Sequence, residues 1–160
     1  MTTLANSLLA DARAFLATEY LPKITKCLEL LSEEDVWWRP NAESNSIGNL
    51  ILHLDGSTRM WVIAVAAGRP NQRDRDAEFA ARDSASKAEL LAHLRTTLTE
   101  VDDTLAALDE PVLLERRQWK GEDITGLWAV MHAVEHFAMH TGQIIMLAKM
   151  RTGKDLHLVY

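Results

Sequence analysis

Cysteine, proline and glycine are all scarce in this chain. Of 160 residues, one is Cys, four are Pro and seven are Gly. A lone Cys27 cannot close an intrachain disulfide or supply a cysteine metal cluster, which fits a reducing compartment. So few turn formers leave few turns. Basic charge is in deficit as well: Lys and Arg number 17 against 23 Asp and Glu, the formal net charge is -6 and the pI is near 5.5. A module that binds a phosphate backbone is usually basic, so nucleic acid is disfavoured as a partner. Long hydrophobic runs are missing. The apolar stretch through Trp61–Ala67 falls far short of the roughly 20 residues that span a bilayer, and Asp11 and Arg13 interrupt any signal-like stretch near the start. The expectation is a cytoplasmic protein without a membrane partner.

What is present is enough apolar material for one core. Hydrophobic residues make up 48% of the chain, and its length suits a single domain spanning residues 1–160. The apolar residues recur at helical rather than alternating spacing. Leu8, Leu9, Ala12, Phe15 and Leu16, then Ile24, Cys27, Leu28 and Leu31, form one face of a first helix from about Leu4 to Leu31, with Pro22 expected to kink or restart it. Cys27 belongs to that core face. Ser46 is the N-cap expected for a second helix reaching Ala67, stopped by Gly68 and Pro70. Ser86-Lys87-Ala88-Glu89 reads as a capping box opening a third helix to about Leu108, and a fourth runs from about Thr125 to Thr152 before Gly153. Four amphipathic helices bury their stripes against one another, so the expected fold is all-α, a four-helix bundle.

The connections 32–45, 69–85 and 109–124 exceed the roughly 2 to 8 residues of minimal bundle turns. At least one is expected to cross over or form a lid. Leu113–Lys120 has some strand character, with a charged ordered loop as the equal alternative. The mixed-charge run Arg69, Arg73, Asp74, Arg75 and Asp76 reads as solvated surface.

Histidine carries the chemical signal. His132, His136 and His140 follow one another at intervals of four in the fourth helix, and each step of four drifts only about 40° around a helix. The three share one stripe. His53 lies on the apolar side of the second helix, where facing helices with axes about 8 to 10 Å apart let side chains meet at a shared ion. His53, His136 and His140 would supply three imidazole nitrogens and leave a position open for water or substrate, the arrangement of catalytic rather than structural zinc. The alternative is three hydrogen-bonded core histidines. His132 keeps three readings: a replacement ligand, a group that orients a ligand, or a packing residue. His93 and His157 read as surface.

Sharper motifs fail at specific positions. A zinc protease helix needs Glu directly after the first histidine, where this chain has Ala133 and Phe137. No Glu has His three residues later, which argues against a ferritin-like di-iron site. Gly121 and Gly126 have P-loop spacing, but Leu127 and Trp128 stand where Lys and Ser or Thr are required. There is no Gly-x-Ser-x-Gly elbow and no haem-attachment motif.

Trp37-Trp38-Arg39-Pro40-Asn41, Ser44-Asn45-Ser46-Ile47-Gly48-Asn49-Leu50, His53-Leu54 and the run from Glu135 to Ile144 together resemble the DinB/YfiT-like superfamily over nearly the whole chain. The likeness is nearest to a bacterial branch carrying the Arg-Asp-Arg-Asp-Ala-Glu-Phe stretch found here at residues 73–79. The resemblance implies a four-helix bundle, often a homodimer, with a divalent ion held by His53, His136 and His140. Zinc or nickel is the expected metal, with iron the alternative. Characterised relatives include S-transferases using bacillithiol, mycothiol or glutathione, and a mycothiol-dependent maleylpyruvate isomerase. The implied activity is a transferase in which the metal activates an external low-molecular-weight thiol toward an electrophilic small molecule. A metal-binding or small-ligand-binding bundle without catalysis and a dimeric interaction protein are the other classes. Gln143 and Asn49, each one turn from a ligand position, are candidates for hydrogen-bonding the ligands or bound water. Gly56 and Gly142 are expected to allow close helix approach, and Trp37, Trp38, Trp61 and Trp128 to line an apolar cavity. Asp55 and Ser57 depart from the residues frequent in relatives at those positions and bear on pocket detail.

Overall fold

A computed structural model describes residues 3–158, and four long helices dominate it. Helix α1 (residues 4–30) is α-helical over Leu4–Ala14 and Leu21–Leu30 with a π-helical Phe15–Tyr20 between them. Pro22 has no N–H for the ladder and its ring crowds the preceding turn. The rod does not stop there. It widens ahead of the proline, where the Leu21 N–H reaches the Leu16 carbonyl five residues back.

Helix α2 (Glu33–Trp37) is a short turn capped by Ser32, and α3 (residues 47–66) starts from Ser46 as expected. Ser46 Oγ accepts from the Asn49 N–H at 3.1 Å, while Asn49 Oδ1 accepts from the Ser46 N–H at 3.2 Å. Gly68, at φ 67°, breaks the chain away after a π-helical last stretch over Arg59–Ala66. Helix α4 (Arg75–Ala80) is capped by Asp74, and α5 (Lys87–Ala107) carries the capping box of Ser86 and Glu89. Each such cap contributes about 1 kcal/mol. Helix α6 (Glu110–Leu114) leads into strands β1 (Arg116–Trp119) and β2 (Glu122–Thr125), and α7 (Gly126–Thr152) ends at Gly153 in the left-handed region.

The all-helical expectation therefore needs one correction. Arg116 pairs with Thr125 and Trp119 with Glu122 in a two-stranded antiparallel ladder. Its turn residues, Lys120 and Gly121, have φ of 48° and 87°, as a tight hairpin matched to strand twist requires.

Helix α3 packs against both α5 and α7, and α1 packs against the same two from the other side. Ile24, Ile51, Leu54, Leu94, Leu105, Phe137 and Ile144 fill the space between them and are fully buried. Each contributes about 1.5 to 3 kcal/mol relative to exposure. Cys27 lies in this core, as its register predicts. Because α3 and α7 are direct neighbours, His53 and the fourth-helix histidines can meet.

Candidate metal centre

Three imidazoles converge between α3 and α7. Nε2 of His136 lies 3.1 Å from Nε2 of His53 and 3.1 Å from Nε2 of His140. His53 and His140 are buried, and His136 is half-buried beside the fully buried Phe137 that anchors its turn. Among the described residues these three form the histidine, cysteine and carboxylate group placed to hold an ion, with ligand atoms all within 4.8 Å of one another.

Proton bookkeeping decides what that cluster needs. Nδ1 of His53 lies 2.9 Å from Oε2 of Glu78 and 3.0 Å from Nη2 of Arg73. The carboxylate can only accept, so the tautomer that pairs with it carries the proton on Nδ1, and in the same tautomer Nδ1 of His140 donates to Oε1 of Gln143 at 2.7 Å. A neutral imidazole has one N–H, so the Nε2 atoms of both rings present lone pairs. His136 can offer at most one proton to the two of them. A cation satisfies all three nitrogens at once. Ligands at about 2.0–2.1 Å from a zinc-sized ion stand roughly 2.8 to 3.0 Å apart in octahedral and roughly 3.3 to 3.4 Å apart in tetrahedral geometry, and the 3.1 Å separations fall between the two.

The electrostatics agree. Burial, reinforced by the neighbouring histidines and Arg73, pushes the His136 imidazole down to about 3. Burial also lowers His140, although its bond to Gln143 pulls the other way. Both rings are neutral at neutral pH, the form a metal requires. Burial pushes the Glu78 carboxyl up, but hydrogen bonds from Arg73 and His53 and the Arg73 charge outweigh it and hold the group below its ordinary value. Arg73 Nε donates to Glu78 Oε1 at 2.6 Å and its Nη2 to Oε2 at 2.8 Å. A carboxylate that takes the far proton of a ligand histidine fixes that ring's tautomer and raises its basicity.

The support reaches the site through α4. Asn49 Nδ2 donates to the carbonyls of Glu78 at 2.9 Å and Ala81 at 3.0 Å, and Arg39 Nη2 donates to Asn49 Oδ1 at 2.7 Å. Asn49 thus touches no ligand ring by any of these bonds; it holds the segment carrying Glu78. Phe79, on the same short helix, packs its ring 4.6 Å from that of His53.

The sequence matches one family over residues 4–159, described as a protein of unknown function, DUF1572. The chain belongs to that family. Its solved relatives include a DinB-like protein from Bacillus subtilis, 19% identical, with a TM-score of 0.71 covering 97% of this chain and 96% of that one. A DinB-like protein from Bacillus cereus is 16% identical at a TM-score of 0.72, covering 99% of each chain. A conserved protein from Enterococcus faecalis is 15% identical at 0.71, covering 96% and 98%. At such identities the likeness concerns fold. No curated protein matches. The DUF1572 chain therefore has the fold of these DinB-like proteins.

The other residues singled out from the sequence fall in different places. His132 stands apart from the three nitrogens: its ring stacks on Trp128 with centroids 4.9 Å apart and meets the edge of Trp61 at 4.6 Å. Trp61 lines a cavity of about 480 Å³ in front of His53 and His136. Trp37 and Trp38 do not: Trp37 donates to the Ala85 carbonyl and Trp38 lies under Arg151. Gly56 serves something other than helix approach, since a Cβ there would collide with the Glu78 carboxylate, and Gly142 faces open space.

Arg73 and Glu78 are the residues of this DUF1572 site that sequence reasoning missed. The charged run looks solvated, yet the Arg73 and Glu78 side chains are only 11% and 10% exposed. Asp74 as N-cap was the one local signal that residues 75–80 form a helix able to turn Glu78 inward. Ser57, expected to bear on pocket detail, lines the cavity with its Oγ 3.4 Å from Nδ1 of His136, whereas Trp119, beside Trp61 in the cavity wall, was not assigned to the site. Among the described residues no helix is long and apolar enough to cross a membrane.

Proposed function

We propose that this protein is a metal-dependent thiol S-transferase on a DinB-like four-helix bundle, with one divalent ion held by His53, His136 and His140. The observation that carries the reading is the convergence of three Nε2 atoms, with Glu78 and Gln143 within hydrogen-bond distance of the Nδ1 atoms of His53 and His140 and so favouring the tautomer that ligates through Nε2. Zinc or nickel suits three neutral imidazoles best, with iron the alternative. A bound ion of this kind supplies Lewis acidity that brings the pKa of an entering thiol toward neutrality.

The chain's own residues do the rest. Glu78 and Gln143 hold two imidazoles in the ligating tautomer, Phe79 shields the His53 ring, and the cavity beside Ser57 and Trp61 admits the reactants. Cys27 supports an external thiol as nucleophile, because it is buried in the core and burial pushes its thiol up to about 11. In the transfer, the external thiol gives up its proton to solvent and its sulfur lone pair forms a C–S bond. The leaving group departs with the electrons of the bond it breaks.

A homodimer accompanies this reading. Trp128, Met131, Met139, Met146 and Met150 are large apolar side chains left exposed along α7, and exposed apolar patches are the kind of surface that protein partners cover. A reducing, cytoplasmic setting with abundant small thiols fits the same chemistry.

The test is elemental analysis of protein purified without a metal-affinity tag, followed by thiol conjugation to an aryl halide such as chlorodinitrobenzene. Metal-dependent conjugate formation with at least one cellular thiol supports the transferase. Equal rates after metal stripping reject it, and tight metal without thiol consumption leaves a binding protein.

A further inference from the structure

The cavity of about 480 Å³ before the histidines has walls of a particular composition. Its volume is within the range of small-molecule sites, about 300 to 1,000 Å³. Three charged side chains line it, Arg73, Arg75 and Lys120, and no Asp or Glu does. That is unexpected in a chain with 23 acidic and 17 basic residues. Arg73 is committed to Glu78 through two hydrogen bonds. Arg75 and Lys120 have no ion pair with a carboxylate among the described residues; Arg75 lies over the Phe79 ring and Lys120 over Trp119. Both are exposed and come from separate elements, Arg75 from the start of α4 and Lys120 from the hairpin turn.

The uncharged wall is aromatic. Trp61 and Trp119 stand with ring centroids 5.2 Å apart at 57°, and His132 meets Trp61 edge-on. Aromatic rings and two cations without carboxylate partners in one cavity wall favour a ligand that is planar at one end and negatively charged at the other.

We infer that this cavity binds an organic carboxylate with a planar, unsaturated body, the planar part against Trp61 and Trp119 and the carboxylate toward Arg75 and Lys120. The inference rests on the reading above in taking this ligand as the electrophile that meets the thiol at the histidine cluster. The binding itself needs no metal, so the two readings fail separately.

The experiment is calorimetric titration of metal-free and zinc-loaded protein with three probes: naphthoate, the neutral naphthylmethanol and acetate. Naphthoate should bind metal-free protein at least tenfold more tightly than either of the others. Arg75→Gln and Lys120→Gln, both exposed and therefore compatible with folding, should each weaken naphthoate about threefold to fivefold, as loss of one partly solvated charge contact does. Arg75→Lys and Lys120→Arg should retain affinity, and so should Arg95→Gln, an exposed charge change on α5. Equal affinity for naphthoate and naphthylmethanol, or unchanged affinity in the double glutamine variant, overturns the anion site. Acetate binding as well as naphthoate overturns the planar requirement. Naphthoate binding only to zinc-loaded protein would place the carboxylate on the metal and overturn the assignment to Arg75 and Lys120. Conversely, protein that binds naphthoate but takes up no ion defeats the metal reading alone.

Discussion

Gly56 stands against Oε1 of Glu78 so closely that a methyl group on its Cα would collide with that oxygen. A glycine inside a helix costs about 1 kcal/mol relative to alanine, and here the missing Cβ is what admits a carboxylate to the far side of His53. Gly56→Ala should therefore run against the usual trend. Instead of stabilising α3, it should destabilise the protein in urea and weaken metal uptake. A rise in the unfolding midpoint with metal affinity unchanged would show that Glu78 can move aside freely.

Glu78→Gln separates charge from shape. The amide keeps an acceptor for His53 but leaves the Arg73 guanidinium, whose side chain is 11% exposed, without its counter-charge. Loss of one partner of such a buried pair costs on the order of 3 kcal/mol. Support for a ligand histidine is typically worth 10- to 100-fold in metal affinity. Chemical denaturation and competitive zinc titration should show both losses.

His136 sets a pH window. Its folded pKa, about 3, lies below the ordinary histidine value near 6.5, so between the two the unfolded chain binds the extra proton. The contribution of this ring to stability is complete above about 6.5 and is lost as pH falls through about 3. Thermal unfolding of metal-free protein from pH 7 to pH 4 should show falling stability that is reduced in His136→Ala. Added zinc should widen the difference, since protons and metal compete for the same nitrogens.

The ligand assignment separates the four histidines near the site. His136→Ala with His140→Ala should abolish stoichiometric metal, and His53→Ala should abolish thiol turnover. His132→Ala should keep the metal, because its ring is stacked on Trp128 rather than joined to the three nitrogens. Cys27→Ser should leave turnover in place wherever the fold tolerates a hydroxyl in that core position. Metal loss in His132→Ala with retention in His53→Ala would reverse the assignment.

The exposed methionines of α7 predict a mass of twice 18.0 kDa by light scattering at micromolar concentration. Met139→Lys with Met146→Lys should return it to the single-chain value.

The helices were legible in the sequence because their ends are written in local chemistry: Ser46, Ser86 and Thr125 cap the chain where hydroxyls are expected, and Gly153 ends it. The histidine stripe was legible for the same reason, since a four-residue step on one rod needs no knowledge of the rest of the fold. Arg73 and Glu78 were not. They come from a connection whose path is drawn by Asn49 and Arg39 reaching the carbonyls of Glu78, Phe79 and Ala81, and long-range capture of backbone leaves no periodic trace. The hairpin at 116–125 was half visible, its strand character offset by charges of which Arg116, Glu122 and Asp123 sit on open faces of the ribbon while Arg117 turns inward to the Ala66 carbonyl.

Asn49 and His53 lie one turn apart on α3, so the brace and the ligand it braces ride on the same rod. A shift of α3 would carry both together, and with them the hydrogen bonds that hold Glu78 against His53. The pair on α7 behaves likewise, His140 and Gln143 being three residues apart on one helix. What is left adjustable is the interval between the two rods, and an ion gripping both acts as a rivet across it. Its free concentration should then set how firmly the halves are joined: at a thousand times the dissociation constant the rivet adds about 4 kcal/mol to the folded state, enough to make metal supply a control on the lifetime of the protein as well as on its chemistry.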